Sequence, residues 1–174
     1  VFHFLIDELD LEASSNKGRA LGKLVIDLVD EKDIETITSA FSLDDLNTIQ
    51  KLLKEISICD PACGSGAFLV ASMILLRELH HRLHSMKDQT PPDDFELKKE
   101  IIERNIYGGE LLPWAVNIAQ LRLWLSLIVD SDLPESDERA LLPSLHFKIG
   151  IGDSLVQKIG NRHINLRAIR TYAA

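Results

Sequence analysis

Apolar and polar residues alternate along this chain with two periods, and the switches between them mark out its elements. Over residues 1 to 55 the period is helical. One helix is expected to end near Ser14-Ser15-Asn16, a second to cover Leu21 to Val29 and a third Leu43 to Ile56. The third has the clearest start, with Ser42 as N-cap, Asp44 and Asp45 in the first turn, and Leu46, Ile49, Leu52 and Leu53 at helical spacing. From Glu55 the pattern shortens. Ile56-Ser57-Ile58-Cys59-Asp60 alternates, reads as a buried strand and runs straight into a turn of Pro61 and two glycines. A helix follows from about Ala67 into His84. Pro91 and Pro92 mark a loop over Gln89 to Asp94, Phe95 to Arg104 reads as a charged helix, and Asn105 to Leu111 as a second strand. Pro113 suits a first helical position and opens a long apolar helix ending near Val129. Beyond the acidic loop Asp130 to Glu138, a third short strand is expected over His146 to Ile151, ending in Gly152-Asp153-Ser154.

Strands that alternate with helices in this way predict an α/β fold, a doubly wound parallel sheet with right-handed crossovers. The expected division is an N-terminal helical segment, residues 1–55, and a sheet-bearing part, residues 56–174. With 174 residues, 45% of them apolar, the chain can close one core but not two.

Composition narrows the setting. Cys59 and Cys63 are the only cysteines, so no disulfide framework is indicated and a reducing, cytoplasmic location is expected. The longest uncharged apolar stretch, Gly66 to Leu76, is too short for a bilayer and ends in Arg77 and Glu78. No membrane partner follows. The first ten residues mix Phe and Leu with Asp7, Glu8 and Asp10, unlike a secretory leader. A formal charge of −8 argues against a free-standing nucleic-acid binder, which shows a basic patch or stripe. It leaves room for a cofactor-holding piece of a nucleic-acid enzyme whose phosphate contacts lie in other segments.

The chemistry is concentrated where the first strand gives way to a helix, at Asp60-Pro61-Ala62-Cys63-Gly64-Ser65-Gly66-Ala67-Phe68-Leu69. Ligands of open parallel sheets settle outside the carboxyl ends of the strands. Glycines there let a ligand approach the backbone, and the helix N-terminus behind them favours an anionic group. Glu110 ends the second strand, where a carboxylate can accept ribose hydroxyls, and Asp153 follows the third, where a carboxylate can accept from an exocyclic amine. A nicotinamide site fits poorly. Its fingerprint needs Gly-x-Gly-x-x-Gly with an acid about 20 residues on, whereas Ala62 and Leu69 occupy glycine positions here and Glu110 lies 44 residues past Gly66.

The run Asp60 to Leu69 resembles motif I of the adenine-N6 DNA methyltransferases of restriction-modification systems, especially the large type I and type IIG kinds. Ile106-Tyr107-Gly108-Gly109-Glu110-Leu111-Leu112-Pro113-Trp114-Ala115-Val116, followed by Ala119-Gln120-Leu121-Arg122-Leu123-Trp124-Leu125, resembles that family's second segment. Gly150-Ile151-Gly152-Asp153-Ser154-Leu155 is similar to its third. Together these cover about residues 56 to 156. The resemblance implies a Rossmann-like, S-adenosyl-L-methionine-dependent methyltransferase fold, incomplete in this chain. It implies that Asp60, Pro61, Ala62, Cys63, Gly64, Ser65, Gly66 and Phe68 border the methionine end of the cofactor. Glu110 would hold the ribose, Leu111 would lie against adenine, Asp153 would take its amino group, and Ser154 would belong to the same cofactor-binding set. Two departures stand out: Glu110 replaces the commoner Asp, and Leu112 replaces an Asp or Asn before the proline.

The family's catalytic tetrapeptide, Asn or Asp followed by Pro-Pro and Tyr or Phe, does not occur in the sequence. In that motif an amide and a backbone carbonyl hold the target amine while the ring stacks on a flipped base. The chain is therefore expected to be a piece of a longer enzyme, to contain no catalytic residue, and to meet DNA through other parts of it. Two further readings stay open: a non-catalytic scaffold keeping the fold, and a methyltransferase acting on protein or RNA. With one neighbour of its first strand missing, the sheet is expected to present an open edge, covered by His163 to Ile169 or by a second copy of the chain.

Other features read more plainly. His80, His81 and His84 near a helix end are expected to be solvated, with no metal bound, because no Glu follows His80 in the zinc-protease pattern. Cys59 is expected to point into the sheet. Trp114 and Trp124 are expected to pack in the core, with Trp114 bordering the glycine loop, and Leu127 to Val129 to be buried against the sheet. The acidic loop and the tail arginines Arg162, Arg167 and Arg170 carry no assigned chemistry.

Overall fold

The structure, a computed structural model, describes residues 42–129, 144–145 and 148–154, with the backbone of 158–159 and 162–163. The helices expected before Ser42 and the acidic loop lie outside the described residues. Described are α1 (Leu43–Glu55), β1 (Ile58–Asp60), α2 (Ala67–Met86), α3 (Asp94–Asn105), β2 (Ile106–Glu110), α4 (Pro113–Ile128), β3 (Ile149–Ile151), and the short β4 (Lys158–Ile159) and β5 (Arg162–His163).

Helix starts follow local side-chain chemistry. The Ser42 hydroxyl accepts from Asp45 N–H, and the Asp45 carboxylate accepts from Ser42 N–H and Oγ at 3.2 and 2.6 Å, a reciprocal capping box. Asp93 caps α3 by accepting from Phe95 and Glu96 N–H. Pro113 occupies the first turn of α4.

The sheet has the order β1-β2-β3 and is parallel throughout, with Ile58 opposite Ile106 and Gly108 opposite Ile149. Helices α2, α3 and α4 pack on one another and on the face of the sheet that carries Ile58, Ile106 and Ile149, all buried, and α1 packs on α2 and α3. Central to the core is α2, whose Leu69, Met73, Leu76 and Leu83 are fully buried in one cluster with Ile101 and Ile102 of α3, Leu123 and Leu127 of α4, and Leu46, Ile49 and Leu53 of α1. Each such side chain stabilises the fold by about 1.5–3 kcal/mol relative to exposure. The core thus takes in α1 along with the elements that follow it.

Buried polar groups are placed where backbone carbonyls need donors. Asn105 Nδ2 donates to Ile56 O at 2.6 Å and Leu53 O at 3.1 Å, tying the end of α1 to the end of α3. Lys98, 2% exposed, donates to Ser126 O at the end of α4 and lies 4.0 Å from Asp94. Gln120 of α4 donates to Ile149 O and fixes that helix to β3.

Several expectations about burial are corrected. Cys59 is exposed, because among the described residues the helices cover only the other face of β1. Trp114 is 60% exposed and Trp124 half-buried. Leu127 is buried but Ile128 and Val129 are exposed. The exposed apolar residues of α4, Trp114, Ile118, Leu121, Leu125 and Ile128, form a stripe opposite its buried Val116, Ala119, Leu123 and Leu127. His80 is buried rather than solvated, and burial, aided by the charge of Lys54, lowers its pKa to about 4. His81 pairs with Asp94 at 2.7 Å, and His84 Nδ1 lies 2.8 Å from His80 O. No cluster of three or more metal-ligating side chains occurs among the described residues. His163, expected against the open edge of β1, pairs instead with Lys158 in a separate antiparallel pair; 164–169 lie outside the described residues.

Candidate functional site

Because the three strands are parallel and adjacent, their carboxyl ends lie along one edge of the sheet. Asp60 is the last residue of β1, Glu110 the last of β2, and Asp153 stands two residues beyond β3. The third strand end is held to the second by Gly152 N–H donating to Glu110 O at 3.0 Å. All three acids therefore occupy one rim of the molecule.

Between β1 and α2 the chain makes a tight loop. Asp60 Oδ1 accepts from Ala62 N–H at 3.1 Å, Cys63 N–H donates to Gly109 O at 3.0 Å, and Gly66 N–H donates to Cys63 O at 2.8 Å. Gly64 and Gly66 both have left-handed backbones, φ 52° and 77°. Glycine adopts that conformation without the steric cost borne by other residues. A Cβ on Gly64 would meet open space, whereas one on Gly66 would lie 2.9 Å from Ala119 Cβ. The loop is thus open on its Gly64 side and pressed against α4 on its Gly66 side.

Glu110 joins this loop to the second strand end. Its Oε2 accepts from Gly64 N–H at 2.9 Å, and its Oε1 accepts from Leu111 and Leu112 N–H at 2.8 and 3.1 Å. These bonds, those from Leu112 and Gly64 foremost, hold the Glu110 carboxyl below its ordinary range. It is a fixed anion at neutral pH. Burial, together with the nearby Asp60 and Glu110 charges, pushes the Cys63 thiol up, which keeps it protonated and unreactive.

Apolar surface flanks the acids. Phe68 is 47% exposed on the first turn of α2, and Leu111 60% exposed just beyond Glu110. Pro61 and Ala62 are exposed, Ser65 and Ser154 half-buried, Cys63 and Gly66 buried. A separate groove of about 420 Å³ between α2, α3 and α4 is lined by residues that include Met73, Lys98, Arg122 and Leu125.

Two contributors carried no role in the sequence reading. Arg122 of α4 donates from Nη1 to Ser65 Oγ at 2.9 Å and to Ser65 O at 3.3 Å, and Ala119 supplies the wall behind Gly66. Both fall in the Ala119 to Leu125 stretch, whose resemblance to known enzymes was the available signal.

A parallel sheet with a glycine loop and three carboxylates at its strand ends is an α/β arrangement, and in open α/β sheets that edge is where ligands settle. Comparison with known proteins narrows this. Residues 33–148 match the family described as MmeI, DNA-methyltransferase domain, and the chain belongs to that family. A protein of Methanocaldococcus jannaschii, named as a type II restriction enzyme and methyltransferase, is 39% identical over 106 residues, 60% of this chain and 9% of the relative. The matched stretch is thus under a tenth of that relative's length. No solved structure matches the chain.

Proposed function

We propose that this chain is the S-adenosyl-L-methionine-binding part of a DNA adenine-N6 methyltransferase from a restriction-modification system, built on the Rossmann-like, doubly wound methyltransferase fold. The observation that carries the reading is the bond from Gly64 N–H to Glu110, which draws the glycine loop and the second acidic strand end into one site. Membership of a DNA-methyltransferase family supports the substrate class, and the relative's name supports the restriction-modification setting.

The residues present fit the cofactor in four respects. Open space beside Gly64 leaves the loop backbone approachable. Exposed Phe68 and Leu111 offer apolar surface close to the ends of β1 and β2, suited to the carbon chain of the methionine and the adenine ring respectively. An ionised carboxylate has about four acceptor sites, and Glu110 already accepts three N–H bonds. About one site remains for a ribose hydroxyl. A second hydroxyl would have to replace a backbone N–H. Asp153 is exposed beyond β3, where it can accept from the adenine amino group.

When bound, the cofactor supplies a sulfonium-linked methyl, electrophilic enough that orienting the acceptor amine matters more than a general base. The part played by this chain is to hold the donor. Asp60, Pro61, Ala62, Cys63, Gly64, Ser65, Gly66 and Phe68 border its methionine end, while Glu110, Leu111, Asp153 and Ser154 border the nucleoside. We assign no catalytic residue within it, and methyl transfer by this piece alone is expected to be absent. DNA is engaged by other parts of the parent protein. No helix among the described residues is long and apolar enough to cross a membrane.

Calorimetric titration with S-adenosylhomocysteine tests this. Saturable one-to-one binding, lost in Glu110→Ala, is the expected result. A folded chain that gives no binding heat would overturn the cofactor assignment while leaving the family membership intact.

A further inference from the structure

We propose that Arg122 is a positioning residue for the glycine loop, holding Ser65 so that the Gly64 N–H and the open space beside it stay presented at the strand ends. The inference rests on the cofactor reading of that loop and adds a component to it from α4, a helix that reaches the site from 57 residues away in sequence.

Ser65 lies between two left-handed glycines, Gly64 and Gly66. Each glycine has access to conformations closed to other residues, so a loop built this way does not keep one shape by local preference. Something outside it must select the shape. On the β2 side that restraint is Glu110, bonded to Gly64 N–H. On the α4 side it is Arg122, whose Nη1 donates to both the carbonyl and the hydroxyl of Ser65. Ala119, three residues earlier and so on the same face of α4, touches Gly66. One helix face therefore supplies a wall and a latch. Glu110 is separated from the start of α4 by only Leu111 and Leu112, so the two restraints are joined through a short, hydrogen-bonded connection.

The role is separable from stability. Arg122 is exposed, and its partners lie at the loop surface. Removing it leaves water free to satisfy Ser65. What changes is the fraction of time the loop holds the binding shape, and apparent affinity scales with that fraction. If the fraction falls to roughly a fifth or a tenth, affinity falls roughly five- to tenfold.

The experiment compares the full chain with Arg122→Ala, Arg122→Lys and Ser65→Ala. It uses S-adenosylhomocysteine calorimetry, thermal melting and amide hydrogen exchange without ligand. Expected are a roughly five- to tenfold weaker dissociation constant in Arg122→Ala, a melting temperature close to that of the unaltered chain, and faster exchange confined to Gly64 to Ala67. Arg122→Lys, keeping a donor able to reach Ser65 O, should recover part of the affinity. Ser65→Ala should weaken binding less than Arg122→Ala, and the double variant should be no worse than Arg122→Ala. Unchanged affinity and exchange in Arg122→Ala, with binding by the unaltered chain, would overturn this inference alone. A folded, unaltered chain without binding would remove the cofactor reading and this inference with it. A large loss of melting temperature in Arg122→Ala would make the arginine a structural support and also overturn it.

Discussion

Gly66 and Gly64 make a matched pair for measuring how tightly α4 presses on the loop. Both have left-handed backbones, where an L side chain costs about 1–2 kcal/mol. At Gly64 a new methyl group would meet nothing within 4 Å, so Gly64→Ala should cost little more than that backbone term. At Gly66 the same methyl would lie 2.9 Å from Ala119 Cβ and 3.1 Å from Ala119 Cα, and the second of these is helix backbone that cannot rotate away. Overpacking of this kind adds about 1–3 kcal/mol, which puts Gly66→Ala at roughly 2–5 kcal/mol in total. Ala119→Gly removes the nearer atom at the cost of a helix-interior glycine, about 1 kcal/mol. The double variant should then be more stable than the sum of the singles by about 1 kcal/mol or more. Urea unfolding at 25 °C, read at constant slope, resolves these differences. Gly66→Ala no worse than Gly64→Ala, or strict additivity with Ala119→Gly, would refute the close packing of loop on helix.

Two further predictions concern the helical layer. His80 is neutral in the fold with a pKa of about 4, while the unfolded chain takes up a proton near 6.5. Its contribution is present above about pH 6.5 and is lost as pH falls towards 4, about 3 kcal/mol in all. Urea midpoints between pH 7 and 4.5 should fall more steeply for the unaltered chain than for His80→Gln, and equal slopes would contradict the assignment. Asn105→Ala should cost about 1–3 kcal/mol through lost donors to Leu53 and Ile56 carbonyls. Asn105→Asp, which sets an acceptor against those carbonyls, should be worse when both are compared by thermal melting at pH 7.

The element pattern was legible because helix and strand starts are written in short stretches of sequence. Ser42, Pro113 and the glycine turn after Asp60 each act within a few residues, and the observed helices and strands begin close to where those residues place them. Burial was less legible, since it depends on which apolar surface another element reaches. On α4 the residues Val116, Ala119, Leu123 and Leu127 and the residues Ile118, Leu121, Leu125 and Ile128 are equally apolar, but only the first set is buried. The same holds for His80, whose neighbours Lys54, His81 and His84 come from two helices.

At the strand ends, the positions of the acids follow from the sequence more readily than the bonds between them. Asp60, Glu110 and Asp153 can be placed at strand ends from the alternation of elements alone, since parallel strands send their carboxyl ends one way. The bonds that shape the loop join positions 46 and 57 residues apart, Gly64 to Glu110 and Ser65 to Arg122, and no local pattern encodes them. This matters for reading Glu110. The proposed site makes it the acid that meets the ribose, while the fold makes it, with one oxygen on the loop and the other on Leu111 and Leu112, a structural acceptor for three N–H groups. The same bonds that keep its carboxyl ionised also reduce the number of hydroxyls it can accept. Substituting it therefore removes a loop restraint together with any contact to a nucleoside. Loss of binding in Glu110→Ala needs the Arg122 series beside it, because Arg122 acts on the loop without any nucleoside contact assigned to it.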